Sequence, residues 1–223
     1  MQKQTRDLAL GFVGAAAALI LFAWLANQVF RHATIRFDAA IRDGVHSLAS
    51  PALTRFFRIV TNFGSELFLA PFCLFAIWRL VAAQRRRAAI VFAVAAAGGE
   101  SLDYILKLLF RRERPAVFFG LTAPHSYSFP SGHSMLSACI FGVLAAILTT
   151  RVKSRGKRAA IWAAAAVATL TIGLSRVYLG VHYPSDVVAG YSAAVIWVAS
   201  VAAGYHVWLR RAGSAGPKEQ VSK

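Results

Sequence analysis

Charge is scarce in this chain of 223 residues: Asp, Glu, Lys and Arg together make up 15% of it, against about a quarter in ordinary soluble domains. Acids are the scarcer kind, nine against 25 Lys and Arg, for a formal net charge of +16. There are two cysteines, Cys73 and Cys139, both inside apolar stretches. That excludes a disulfide-stapled secreted scaffold and favours thiols packed as small hydrophobes. No acidic cluster has metal-ligand spacing, there is no internal repeat, and no polar stretch is long enough for a second, soluble domain. Apolar residues are the excess, at 57% of the chain with a mean hydropathy of +0.54, and they come in long blocks. The first solvent to consider is therefore a membrane.

Six segments can cross a hydrocarbon core that requires about 20 apolar residues. They run over Leu8–Phe30, Glu66–Val81, Ala88–Leu109, Ser134–Thr150, Ala159–Tyr178 and Ser185–Leu209. The first is too long for a signal-peptide core and reads as an uncleaved anchor. The second is short, so it either begins earlier or is tilted. The bases cluster at the ends of these runs, where they meet lipid headgroups; with no basic and aromatic soluble face, no nucleic-acid partner is expected. Placing the N-terminus inside gathers Lys3, Arg6, Arg79, Arg85–Arg87, Arg151, Lys153, Arg155, Lys157, Arg158, Arg210, Arg211, Lys218 and Lys223 on the inner side. The positive-inside rule then predicts both termini in the cytoplasm, with the connections after spans 1, 3 and 5 on the far side.

The predicted fold class is all-α and integral to the membrane, with six spans and one or two interfacial helices between spans 1 and 2. Phe37, Ile41, Val45 and Leu48 recur at helical spacing, with Arg36, Asp38, Arg42 and Asp43 on the other sides, as in an amphipathic helix at the interface. Ser50-Pro51 reads as an N-cap and first-turn pair opening a further helix to about Asn62, with Gly64 breaking it. Residues 1–211 are expected to form one membrane domain, and 212–223, rich in Gly, Ser, Pro and charge, a disordered cytoplasmic tail.

Polar residues gather in two connections on the same predicted side. One holds Lys107, Arg112, Arg114 and Pro115, followed by Pro130-Ser131-Gly132-His133 at the start of span 4. The other holds Ser175-Arg176 and His182, with Asp186 opening span 6. Lys107, Arg112, Arg114 and Arg176 supply fixed positive charge, and arginine's fork suits phosphate oxygens. Ser131 and Gly132 precede an apolar helix, so their amides are expected to be free at its N-terminus, a ready anion site. His182 stands four residues before Asp186, close enough for the carboxylate to hold one imidazole nitrogen and leave the other as a nucleophile. His133 is then available as general acid and base. The fixed cations do the work a metal would otherwise do, and no cofactor is expected.

Taken singly, each feature has an ordinary explanation: interfacial anchors, a capping Ser-Gly, a surface histidine. Their conjunction does not. Lys-x6-Arg-Pro, Pro-Ser-Gly-His and Ser-Arg-x5-His-x3-Asp fix eleven positions in order.

These three motifs resemble those of the type-2 phosphatidic acid phosphatase superfamily, and the six-span plan resembles its membrane branch of lipid phosphatases. The likeness extends over roughly Phe37 to Leu209 with no departure at a motif position. It implies a phosphate held by Lys107, Arg114, Arg176, Ser131 and Gly132, with Arg112 as a frequent extra basic position. It also implies His182 as the nucleophile of a phosphohistidine, Asp186 as its partner, His133 as acid and base, and no divalent metal. The implied activity is hydrolysis of the terminal phosphate of undecaprenyl diphosphate, phosphatidylglycerol phosphate, phosphatidate or lipid A phosphate. The implied setting is a bacterial inner membrane with the site on the periplasmic face and no obligate protein partner. Two rivals share the same residues: a lipid phosphotransferase using the same intermediate, and a phospholipid binder or transporter without turnover.

Some polar residues stand outside the motifs. Asp103, one turn before Lys107, is expected to form a salt bridge that positions the lysine. Glu100 is expected either to pair with another span or to touch substrate. His125 and Tyr127 read as exposed loop decoration, and Trp24, Trp78, Trp162, Trp197 and Trp208 as interfacial or lipid-facing packing.

Overall fold

A computed structural model of the chain describes residues 2–122 and 124–214. Every regular element among them is helical: α1 (Gln2–Phe30), α2 (Ile35–Ser47), α3 (Pro51–Asn62), α4 (Glu66–Ala82), α5 (Arg86–Phe110), α6 (Gly132–Thr149), α7 (Arg155–Tyr178) and α8 (Pro184–Ser214). Five helices are long and apolar enough to cross a membrane, covering Gly11–Phe30 of α1, α5, α6, α7 and α8 through Leu209. A sixth candidate span is the pair α3 and α4, which qualifies only together and bends by 46° at the break between them. The second apolar run is short in the structure as well: α4 alone has 17 residues. Helix α8 ends at Ser214, and the remainder of the expected tail, 215–223, lies outside the described residues.

The helix starts follow from local sequence. Ser50 is the N-cap of α3, its Oγ accepting from the Leu53 amide at 3.3 Å, with Pro51 in the first turn. Ser154 caps α7 in the same way, accepting from the Lys157 amide at 3.4 Å.

In the packing, α6 is the most enclosed span and touches α5, α7 and α8, while α1 lies along α8. Leu69, Phe92 and Ile140 join α4, α5 and α6 in one apolar cluster. Met135, Cys139, Ala193 and Ala194 join α6 to α8 in another. Small residues set the spacing. A methyl group at Gly190 of α8 would lie 2.7 Å from the Ser131 carbonyl oxygen and 3.1 Å from the Ser134 Cβ. The start of α6 can therefore approach α8 only because position 190 has no side chain. Both cysteines are free, Cys139 buried and Cys73 partly buried.

Helix α2 forms where expected but turns two of its charged residues, Asp38 and Arg42, inward, while Arg36 and Asp43 stay exposed. Phe37 and Leu48 are 63% and 70% exposed, whereas Asp38 and Arg42 are buried. Val45 instead packs against the cluster of Phe57, Tyr178, Leu179 and Val181, so α2 buries both an apolar contact and a pair of charges that find partners in protein. Trp24, Trp78, Trp162 and Trp208 are likewise exposed, while Trp197 turns inward to donate to the Ala95 carbonyl at 3.0 Å.

Replacing Gly190 by alanine is expected to destabilise the protein by about 1–3 kcal/mol through overpacking against backbone. The measurement is thermal unfolding in detergent; an unchanged midpoint would contradict the close contact of α6 and α8.

Candidate active site

The helix ends bring the three motifs together. α5 stops at Arg111, whose φ of 45° places it in the left-handed region. The chain then runs without regular structure to the start of α6. Phe129 anchors this connection, packed among Phe22 of α1, Phe110 of α5 and Ala189 of α8. Ser131, its neighbour but one, donates its amide to the Asp186 carbonyl at 3.0 Å, tying the second motif to the third. The expectation that this amide is free for an anion is thereby corrected. The Gly132 and His133 amides, inside the first turn, have no acceptor within their own helix, as at any helix start. The Ser131 hydroxyl is buried and accepts from Ser134 at 3.0 Å.

Lys107 lies against the second motif. Its Nζ pairs with Asp103 Oδ2 at 2.5 Å, the helix salt bridge expected from their spacing. A methyl group at Gly132 would stand 2.8 Å from each of these two atoms, so glycine there lets the lysine reach the helix start.

His182 is the centre of the arrangement. Its Nδ1 is 3.4 Å from Asp186 Oδ2, and its Nε2 is 2.9 Å from Nη1 of Arg114. An arginine can only donate, so Nε2 must present its lone pair and Nδ1 must carry the proton, which points to Asp186. The third motif therefore holds the tautomer that a nucleophilic imidazole needs. Burial, together with the charges of Arg114, Arg176 and Lys107, pushes the His182 imidazole well below its ordinary value of 6.5, against a smaller opposing effect of a hydrogen bond to the Ser128 backbone. Burial also lowers Arg114, with Asp186 and Asp103 acting in the opposite direction.

Asp186 is wholly buried and fully engaged. Oδ1 accepts from Arg112 Nη1 at 2.6 Å; Oδ2 accepts from the Tyr183 amide at 2.9 Å and from the Ser128 hydroxyl. Arg114 is braced by the carbonyls of Ser126, Tyr127 and Val181 and by the Ser126 hydroxyl. Arg176 bonds Thr61 Oγ1 of α3 at 2.6 Å, while its Nε, buried, has no protein partner. Its own carbonyl accepts the Val181 and His182 amides, so one residue supplies a cation and fixes the histidine's backbone. His133 stands within electrostatic reach of Arg176, His182, Lys107 and Arg114, and Gly64, at the break between α3 and α4, abuts its ring.

The residues expected from sequence thus converge, with one change of place. Arg112 does not face the other cations. Its fork is taken by Asp186 and Ser185 on one nitrogen and by Asp38 and Thr34 on the other, which gives it a carboxylate-holding place instead of the phosphate-binding one expected. Sequence reasoning missed Ser128, Thr61, Ser185 and Asp38. Of these, only Asp38 carried a usable signal, an acid beside an apolar stripe. Glu100 has no ion pair among the described residues, and His125 and Tyr127 are exposed.

Four helix ends bring an oriented histidine and several cations together in a helical membrane protein. A model of the PAP2 superfamily matches residues 87–210, and the chain belongs to that superfamily. It is 30% identical to phosphatidylglycerophosphatase B of Bacillus subtilis (strain 168), over 78% of this chain and 85% of the relative. It is 32% identical to an undecaprenyl-diphosphatase of Sulfolobus acidocaldarius, over 46% of each. Among solved structures, the transmembrane PAP2 type phosphatidylglycerolphosphate phosphatase from Bacillus subtilis superposes with a TM-score of 0.79 at 27% identity, covering 88% of this chain and 98% of that one. LpxE of Aquifex aeolicus gives a TM-score of 0.59 at 27% identity, covering 74% and 94%. The fold is that of the membrane PAP2 phosphatases.

Because protonating His182 would add charge to a buried, already cationic pocket, its imidazole is expected to stay neutral at and below pH 6.5. Nitrogen-15 NMR of histidine-labelled protein in detergent, with His182→Gln to assign the signal, measures this. Titration of that signal at or above pH 6.5 would contradict the reading.

Proposed function

We propose that this protein is a metal-independent phosphatase that removes the terminal phosphate of a membrane lipid phosphate or diphosphate through a phosphohistidine on His182. The observation that carries the reading is the pair of contacts on the His182 ring, an arginine donor at Nε2 and the Asp186 carboxylate at Nδ1. Together they keep the nucleophilic lone pair among cations.

The substrate phosphate displaces the Arg114 N–H from Nε2 and takes that donor on one of its own oxygens. Lys107 and Arg176 oppose its remaining charge, with the first-turn amides of α6 and the Ser131 hydroxyl as further donors. Nε2 attacks phosphorus in line with the leaving oxygen, and the P–O bond to the lipid breaks. His133, protonated once the bound phosphate's negative charge offsets the surrounding cations, gives its proton to that oxygen, and the lipid alcohol or lipid monophosphate leaves. Throughout, Asp186 stabilises the proton on Nδ1. Neutral His133 then takes a proton from water, whose oxygen attacks phosphorus. The N–P bond breaks, its electron pair returns to Nε2, and inorganic phosphate is released. Positioning and charge neutralisation are the main demands of such a transfer.

The relatives named above act on phosphatidylglycerophosphate and undecaprenyl diphosphate, and others are lipid A 1-phosphatases; these lipid classes are the substrates to test here. The distribution of bases supports both termini in the cytoplasm of a bacterial inner membrane, with the site on the periplasmic face at headgroup level.

The test is phosphate release from a panel of purified lipid phosphates in detergent, with labelled alcohol acceptors present to register transfer instead of hydrolysis. Wild type is expected to release phosphate in EDTA and to be inhibited by vanadate. His182→Ala is expected to lose turnover by at least about a thousandfold while still binding phospholipid. Full function in His182→Ala, or activity abolished by EDTA and restored by magnesium, would contradict the proposal.

A further inference from the structure

The polar face of α2 is aimed at the catalytic turn. Asp38 is fully buried; its Oδ1 accepts from the Ser185 amide at 3.0 Å, and its Oδ2 from the Ser185 hydroxyl at 2.6 Å and Arg112 Nη2 at 2.8 Å. The other nitrogen of the same fork, Nη1, holds Asp186 Oδ1 at 2.6 Å. One guanidinium therefore joins two carboxylates, both without solvent. Tyr183 packs against both arginines of this group, with the Arg112 guanidinium carbon 4.0 Å from its ring centroid and that of Arg42, from α2, at 5.5 Å. Arg42 is fixed in turn by the Ala116 carbonyl at 2.6 Å. Tyr183 and Ser185 of the catalytic turn are thus held from α2, a helix outside the segment 87–210 that the family model matches.

We infer that Asp38 is a positioning residue for the reaction at His182, acting through Arg112 on Asp186. The Tyr183 amide and the Ser128 hydroxyl both act on Oδ2, which leaves Oδ1 free to swing about that oxygen. Engaging Oδ1 with a fork whose far nitrogen is anchored on another helix fixes the carboxylate plane, so that Oδ2 meets the His182 Nδ1–H. Asp38 also occupies the donors with which Arg112 would otherwise turn to the phosphate. An error of about 1 Å in such positioning costs up to about a hundredfold in rate.

This inference rests on the phosphatase reading, and the experiment separates the two. Asp38→Asn keeps the size and an acceptor for the Ser185 amide but removes the charge that holds Arg112; Arg112→Lys keeps the charge but cannot bridge two carboxylates. Turnover is measured on detergent-solubilised protein that is monodisperse and titrated with vanadate to count competent sites. In each variant kcat is expected to fall by about tenfold to about a hundredfold, with KM and the vanadate inhibition constant within about threefold of wild type. The double variant is expected to fall little further than the worse single one, because both act through one fork. A kcat within about twofold of wild type in folded Asp38→Asn would overturn the inference, as would a rise in KM and vanadate constant that accounts for the loss, which would make Arg112 a phosphate contact. If Asp38→Asn does not fold, Ser185→Ala removes only the hydroxyl shared by Asp38 and Arg112 and is expected to lower kcat by about threefold at unchanged KM; no change would overturn the inference. Wild type inactive on every lipid phosphate overturns the functional reading and this inference with it; an active wild type with unchanged variants overturns this inference alone.

Discussion

A carboxylate without solvent is the constraint around which this site is arranged. Asp186 is fully buried, and an ionised acid in that position is tolerable only when its lone pairs are met by donors and its charge by a cation. Arg112 supplies the cation, Ser128 and the Tyr183 amide the neutral donors, and the His182 Nδ1–H the last and longest contact. Every one of these groups comes from the two connections that carry the motifs. Satisfying one acid therefore draws together the end of α5, the start of α6 and the turn between α7 and α8. Removing one partner of such a buried pair costs about 3–5 kcal/mol, so the architecture and the chemistry depend on the same bonds.

The membrane reverses the usual sense of inside and outside, and the site exploits the reversal. Helices facing lipid need no polar surface, so Phe37, Leu67 and Trp78 point outward at 60% exposure or more, leaving charged residues to face protein. Asp38, Arg42, Asp103, Arg176 and Asp186 are all buried. In a soluble protein of this length so many buried charges would be a burden; here Asp38 and Asp186 meet Arg112, Asp103 meets Lys107, and Arg114 and Arg176 stand within electrostatic reach of His182. The cations outnumber the acids within reach of His133 and His182, which suits a phosphate group that brings its own negative charge.

The helices and the meeting of the three motifs were legible because each depends on a short-range pattern. Apolar length marks a crossing, Ser50-Pro51 marks a helix start, and a four-residue step marks the pairs Asp103 with Lys107 and His182 with Asp186. What was not legible depends on contacts between distant segments. The place of Arg112 could not be read from a motif in which every base is a possible phosphate ligand; only the approach of α2 shows that both nitrogens of its fork are taken. The Ser131 amide looked free because a helix start is free in isolation, until the Asp186 carbonyl from another helix reached it. The inward turn of α2 was hidden for a similar reason. Its amphipathic spacing was visible, but which face meets protein depends on the solvent and on Ser185 and Ala116, far along the chain.

The central claim is that His182 Nε2 bonds covalently to phosphorus during turnover. The most direct measurement is to quench the protein in alkali during turnover of a radiolabelled lipid phosphate and map the label by peptide. The account predicts a phosphoramidate on His182, stable to alkali and lost in acid. Label on another side chain, or steady hydrolysis with no labelled enzyme at any quench time even when His133→Gln slows the water step, would contradict it.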